Sequence, residues 1–170
     1  MELGLLLMRL VFGLGMAAHG GQKLFGWHRG PGIHGATGFM ESLGFHPGRR
    51  YALLNGIAEF AGGILLALGL FGPLGSALMI GVMVVATLTV HLPHGFFNSN
   101  KGYELPLLYA TAAAGLALTG PGRLSFDWAL KLTSLWSADL ALIAIAAGIL
   151  GGVGATYLGR QAPMPHPRTR

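Results

Sequence analysis

The chain has 170 residues, of which 52% are hydrophobic and 10% are charged, and its net charge is +5. Soluble domains contain about a quarter charged residues, so the composition argues against a soluble domain and predicts one integral membrane domain. The sequence has no cysteine, which excludes disulfides, thiolate metal sites and thiol redox chemistry in this chain. The basic residues lie at the ends of apolar runs, where they indicate membrane topology and not nucleic-acid binding.

Five apolar runs predict five membrane-spanning helices. The first covers residues 4–25, long enough to cross about 30 Å of hydrocarbon. A cleaved signal peptide is the competing interpretation, and it is disfavoured because no basic segment precedes the run and Arg9 interrupts it. The remaining runs are residues 51–71, 74–92, 103–120 and 138–158. We therefore expect an all-α integral membrane protein, with a bundle of four transmembrane helices and an additional C-terminal transmembrane helix.

Two connections are predicted to contain short interfacial helices. One interfacial segment covers about residues 32–46, where the stretch 37–43 is amphipathic but too short to span. The other covers residues 126–136 and carries aromatic anchors. The chain then divides into a four-helix membrane domain (1–130), the extra membrane helix (131–158) and a basic, disordered C-terminal tail (159–170).

Small residues repeat at helical spacing in the first and last spans, which allows close helix packing within the chain or in a homo-oligomer. The two stripes are Gly13, Ala17 and Gly21, and Ala144, Gly148, Gly152 and Thr156.

Polar residues are expected to converge near one side of the membrane. At the α-helical rise, Glu59 lies roughly 12 Å in from the side that holds residues 26–50. An ionised carboxylate at that depth is costly, so Glu59 is either functional or hydrogen-bonded between helices, with Asn55 one turn away as its candidate partner. Arg9 lies near the opposite side, with Asp127 as its candidate ion-pair partner. The candidate ligand site consists of His19, Gln22, Lys23, Glu59, His91 and Glu104.

Histidine and glutamate below the membrane surface can hold a polar head group and pass protons, and a quinone suits such a site. The sequence has no nucleotide fingerprint and no metal-ligand run, so no metal site is predicted. A haem between His19 and His91 is disfavoured because their depths differ by about 7 Å. A small-solute transporter is disfavoured because no pair of broken helices is apparent.

Several motifs along the chain carry a family resemblance. They are His19-Gly20-x-Gln22-Lys23-Leu24-Phe25-Gly26-Trp27, Gly30-Pro31-Gly32, Gly38-Phe39-Met40-Glu41-Ser42-Leu43-Gly44, Ala58-Glu59-Phe60-x-Gly62-Gly63, Val90-His91-Leu92-Pro93-x-Gly95-Phe96-Phe97, Gly102-Tyr103-Glu104-x-Pro106 and Gly120-Pro121-Gly122-Arg123-x-Ser125-Phe126-Asp127. In this order, over about residues 4–130, the chain resembles the DoxX family. It departs from the family pattern at His28-Arg29, in its fifth span and in its basic C-terminal tail.

The resemblance implies a small bacterial inner-membrane protein with a four-helix core. It links the chain to quinone-linked oxidoreductases, such as the membrane subunit of thiosulfate:quinone oxidoreductase. It also links it to oxidative-stress complexes with soluble partners such as superoxide dismutase and a sulfurtransferase. Whether the chain is itself an enzyme stays open.

Two functional hypotheses follow. The first is a membrane subunit of a quinone-linked oxidoreductase that binds menaquinone or ubiquinone. The alternative is a non-catalytic anchor for soluble redox or oxidative-stress enzymes. The basic residues predict the orientation. Eight lie on the side that holds residues 26–50 and three on the other side, which favours the side of residues 26–50 as cytoplasmic. The eight are Lys23, Arg29, Arg49, Arg50, Lys101, Arg160, Arg168 and Arg170, and the three are Arg9, Arg123 and Lys131.

Overall fold

The computed structural model describes residues 1–161, so the predicted C-terminal tail lies outside the described residues from residue 162 onward. Residues 1–161 are helical and contain no strand. The helices are α1 (Glu2–Phe25), α2 (Gly32–Ser42), α3 (Gly48–Leu68), α4 (Leu74–Ala86), α5 (Glu104–Thr119), α6 (Phe126–Ala129) and α7 (Ala138–Gln161).

Four of these helices are long and apolar enough to cross a membrane, which confirms the predicted all-α membrane class. They are α1, α3, α7, and α4 together with its irregular continuation to His94. The fourth predicted span, residues 103–120, forms the shorter helix α5. Its 16 residues extend about 24 Å, less than the thickness of a typical hydrocarbon core.

Loop contacts define the two ends of the bundle. At one end, which we call the α2 end, the His46 amide donates to the Gly159 carbonyl at 3.0 Å and so joins the α2–α3 connection to the last turn of α7. At the other, the α6 end, the Asp127 amide donates to the Gly69 carbonyl at 3.0 Å. Helix α7 therefore runs from the α6 end to the α2 end, in the same direction as α4.

Helices α1 and α3 pack with their backbones in contact. A Cβ atom added at Gly20 would lie 2.7 Å from Phe60 Cα, and one added at Gly13 would lie 2.6 Å from the Ala67 amide nitrogen. From the other side, a Cβ at Gly63 would lie 2.5 Å from the backbone of α1. Glycine thus permits a helix approach that side chains would prevent, which is the usual way for helices to associate in lipid.

The small-residue stripe on α1 differs from the predicted one in its third member. Gly13 and Ala17 are buried against α3 as expected, but Gly20 takes the place of Gly21. An added Cβ at Gly21 would instead clash with the Trp27 ring, with Trp27 Cζ3 at 2.8 Å. The reason is helical geometry, because at 3.6 residues per turn the face shared by Gly13 and Ala17 passes closer to Gly20.

Helix α7 packs against α4 through the predicted small residues. A Cβ added at Gly148 would lie 2.6 Å from the Ala77 carbonyl oxygen, and one at Gly152 would lie 2.6 Å from the Gly81 carbonyl oxygen. Because both contact positions advance by four residues, α4 and α7 are parallel. Helix α7 is thus part of the bundle.

Helices form in both predicted interfacial segments. Helix α2 covers Gly32–Ser42, within the segment expected over about residues 32–46, and it begins five residues before the amphipathic stretch 37–43. The helix expected over residues 126–136 is instead split into α6 and a 3-10 turn over Thr133–Trp136. Lys131, between them, has a φ of 60°, which is incompatible with a continuous right-handed helix. The C-terminal helix begins at Ala138, the first residue of the predicted span 138–158.

Candidate polar site between α1, α2 and α3

A buried carboxylate joins α1 to α3. Lys23 Nζ, in the last turn of α1, donates to Glu59 Oε1 at 2.5 Å. Asn55 Nδ2, one turn before Glu59 on α3, donates to the same oxygen at 3.2 Å. Asn55 and Glu59 share a helix face because they are four residues apart, and this contact confirms the pairing expected from their spacing.

The Glu59 carboxylate is incompletely satisfied. Glu59 is 3% exposed, and within residues 1–161 its Oε2 atom is buried without a hydrogen-bond partner. Lys23 offsets its charge, and the Lys23 side chain remains 31% exposed, so the pair connects the bundle interior to its α2 end. A buried acceptor without a donor costs about 1–3 kcal/mol, which the surrounding helix packing must offset.

A small cavity lies beside this pair. It has a volume of about 230 Å³ and is lined by Lys23, Asn55 and residues of α2 that include Ala36, Phe39 and Met40. We call it the α2 cavity, because α2 covers it. Glu59 does not line the cavity. Its carboxylate accepts hydrogen bonds from Lys23 and Asn55, the two polar residues that do line it. The cavity is therefore a mostly apolar space whose lining residues include one lysine and one asparagine.

A larger cavity lies between α3, α4 and α7. It has a volume of about 520 Å³ and is lined almost entirely by apolar and small side chains. We call it the α7 groove. Asn55 and Met40 line both the α2 cavity and the α7 groove, so the two spaces adjoin at these two residues.

His91 and Glu104 hold the α4–α5 connection. His91 Nδ1 is 2.6 Å from the Lys101 carbonyl oxygen, and Glu104 Oε2 accepts from the Asn98 amide at 2.9 Å. Both predicted ligand residues thus bond to the backbone of the loop that joins their helices. Among residues 1–161, neither makes a hydrogen bond to Lys23, Asn55 or Glu59.

The other two predicted residues lie on α1. His19 is exposed, and Gln22 is half-buried. Gln22 packs against the loop after α1, since a Cβ added at Gly30 would lie 2.6 Å from Gln22 Cβ. Of the six predicted ligand residues, the structure joins Lys23 and Glu59 directly. Asn55 is the residue that the predicted set lacked, although its spacing from Glu59 was the signal that could have added it.

Arg9 and Asp127 do not form the predicted ion pair; among residues 1–161 the ion pair is Lys23–Glu59. The fully buried Arg9 guanidinium donates to backbone carbonyls, to Leu68 O at 3.4 Å and to Leu124 O. The last carbonyls of a helix have no partner within that helix, so the end of α3 attracts a cation.

Asp127 binds backbone amides and an indole in place of a cation. It is completely buried and accepts from the Phe71 and Gly72 amides at 3.0 and 2.7 Å. Trp136 Nε1 donates to the same carboxylate at 2.6 Å. Both Phe71 and Gly72 have positive φ values, and their amides therefore converge on one acceptor. This network fixes the α3–α4 turn to the α6 end of the bundle.

These features define a class: a multi-pass helical membrane protein with a buried lysine–glutamate pair beside an apolar cavity. Within that class, the DoxX family profile matches residues 4–92, more than half of the chain, and the chain belongs to the DoxX family. The match covers α1 to α4 and includes Lys23, Asn55 and Glu59. No curated protein and no solved structure matched the chain.

Proposed function

We propose that this DoxX protein binds a quinone as a membrane subunit of an oxidoreductase system, with the quinone head group in the α2 cavity. The observation that supports the proposal most directly is the wall of that cavity. Two hydrogen-bond donors, Lys23 and Asn55, line an otherwise apolar space, and the buried Glu59 carboxylate holds both. Ligand sites commonly combine apolar walls with a few convergent polar groups.

The donor set suits a quinone. Quinone carbonyls accept hydrogen bonds, and a lysine ammonium has three donors, of which Glu59 takes one. Lys23 and Asn55 are the proposed contact residues. Glu59 is a positioning residue, because it touches the two donors and does not line the cavity.

A bound quinone supplies two-electron redox chemistry. The chain has no cysteine thiol to pass electrons, so a soluble oxidoreductase partner supplies them in this proposal. Lys23, whose side chain is 31% exposed, connects the cavity to the α2 end, where protons and partner are accessible. The proposed role of the chain is therefore to bind and orient the quinone.

The proposed location is the bacterial inner membrane, with the α2 end on the cytoplasmic side. The excess of lysine and arginine at that end supports this orientation under the positive-inside rule. A cytoplasmic α2 end would give a soluble partner direct access to the α2 cavity.

The first experiment measures quinone binding to the purified chain in lipid nanodiscs, with ubiquinone and menaquinone titrated in parallel. Glu59→Gln should weaken binding about tenfold, since losing a charge-assisted hydrogen bond of about 1.5 kcal/mol has that effect. Asn55→Leu should weaken it similarly. Glu41→Gln is the matched control, because Glu41 is exposed on α2 and away from the cavity lining. Unchanged affinity in Glu59→Gln would refute the assignment.

The same titration tests the wider site expected from the sequence. If His91 and Glu104 act only on the α4–α5 connection, Glu104→Gln binds quinone like the unmodified chain. A loss equal to that of Glu59→Gln would instead include Glu104 in the ligand site.

The alternative function, an anchor for soluble redox enzymes, predicts a different outcome. A pure anchor would retain its soluble partner in a pull-down and would bind neither quinone. In the quinone proposal, Glu59→Gln loses affinity for the quinone while the partner is still retained.

A further inference from the structure

We infer that the α7 groove holds the isoprenoid chain of the same quinone, so that the C-terminal helix α7 forms part of the ligand site. This inference rests on the proposed function. It assigns an occupant to the larger cavity, which the head-group proposal leaves unexplained.

The α2 cavity and the α7 groove adjoin at two shared residues. The α2 cavity carries the polar donors, and the α7 groove is apolar, yet Asn55 and Met40 line both. An amphiphile with its polar group at Asn55 therefore has an apolar space on the far side of the same residue. A prenylated quinone has this distribution of polarity.

The size and composition of the α7 groove suit a hydrocarbon chain. Its volume of about 520 Å³ falls within the range of about 300–1,000 Å³ of ligand pockets. Its α7 wall consists of alanine and glycine, including Gly148, Gly151 and Gly152. Large side chains at these positions would fill the space between α3 and α7, and their absence leaves room for a flexible hydrocarbon chain.

The glycines of this wall have different surroundings, which makes the inference testable. Gly148 and Gly152 touch the α4 backbone, so substitution there would separate the helices. A Cβ added at Gly151 meets nothing within 4 Å, although Gly151 lines the groove. Gly151→Leu should therefore fill the groove without disturbing the α4–α7 contact. Gly154 also has open space around an added Cβ but does not line the groove, so Gly154→Leu is the matched control.

The experiment compares ubiquinones with one and with eight isoprene units, and the corresponding menaquinones, in nanodiscs. In Gly151→Leu the long-chain form should bind about tenfold more weakly, as expected for the loss of roughly 60 Å² of buried apolar contact. The short-chain form and Gly154→Leu should bind as in the unmodified chain. Equal effects on both quinone lengths, or no effect on either, would overturn the inference and leave the head-group proposal standing. If the unmodified chain binds no quinone of either length, the proposed function itself fails.

A second measurement does not depend on how the variants fold. A ubiquinone with a diazirine at the end of its isoprenoid chain is crosslinked to the unmodified protein, and the labelled peptides are identified by mass spectrometry. Labels within residues 138–160 or on the groove face of α4 support the inference. Labels confined to α1 or α5 overturn it, as does retention of a phospholipid acyl chain in the groove at saturating quinone.

Discussion

The close contact of α1 with α3 leads to a quantitative prediction for Gly20→Ala. The added methyl group would lie 2.7 Å from Phe60 Cα and 2.8 Å from the Gly56 carbonyl oxygen. The Phe60 amide nitrogen would lie closer still, and ordinary van der Waals contact begins at 3.4 Å, so the helices must separate by at least about 0.7 Å at this point. A gap of that size removes roughly a quarter to a half of the dispersion energy of each contact affected.

We expect Gly20→Ala to lower the free energy of unfolding by about 1–3 kcal/mol, the usual cost of adding a methyl group to a packed interior. Alanine is a better helix former than glycine by about 0.5–1 kcal/mol, which opposes this loss. Gly4→Ala controls for that gain, because Gly4 lies in the same helix and an added Cβ there meets nothing within 4 Å.

The assay is reversible unfolding in mixed micelles with increasing SDS, followed by far-UV circular dichroism. The quantity compared is the difference in unfolding free energy between Gly20→Ala and Gly4→Ala. If the two variants unfold at the same SDS fraction, the α1 and α3 backbones are not in contact at Gly20, and the position of Lys23 relative to Glu59 must be reconsidered.

Two further predictions concern the α6 end and the orientation. Asp127→Ala should destabilise the protein by about 3 kcal/mol or more in the same unfolding assay, because three donors lose a fully buried acceptor. Asp139 is exposed, so Asp139→Ala should change stability little, and equal stability of the two variants would contradict the role of Asp127. Because the chain lacks cysteine, a single introduced cysteine reports which side of the membrane its position faces, and Ser42→Cys tests the α2 end while Ser134→Cys tests the α6 end. A membrane-impermeant maleimide should label Ser134→Cys in intact cells and Ser42→Cys only after lysis. The reverse labelling pattern would refute the orientation.

The helix positions could be predicted because long apolar runs and their breaks are local properties of the sequence. The Asn55–Glu59 contact could be predicted for the same reason, since it depends only on a spacing of four residues. Depth along the membrane normal was also computable, but it gives the height of a residue and not the direction in which its side chain points. His91 and Glu104 were expected at the height of the site, and they bond to the backbone of their own loop.

At the α6 end, backbone groups and not opposite charges determine the partners of the buried Arg9 and Asp127. Charge complementarity suggested that Arg9 would pair with Asp127, because opposite charges deep in an apolar protein attract each other strongly. Backbone groups compete for the same side chains, however, and the sequence does not show where those groups are left without partners. The end of α3 supplies carbonyls to Arg9, and the turn after it supplies amides to Asp127. Such groups become apparent only when the turn conformation is known.

The extent of the family match separates the two parts of the proposed site. Residues 4–92 contain Lys23, Asn55 and Glu59, together with the segment that covers the α2 cavity. The α7 groove needs residues 147–155, which lie outside the match. A chain that shared only the matched segment would keep the donors for a head group and lose one wall of the groove. The C-terminal helix would then act on affinity for the isoprenoid chain and not on recognition of the head group, and Gly151→Leu distinguishes these two effects.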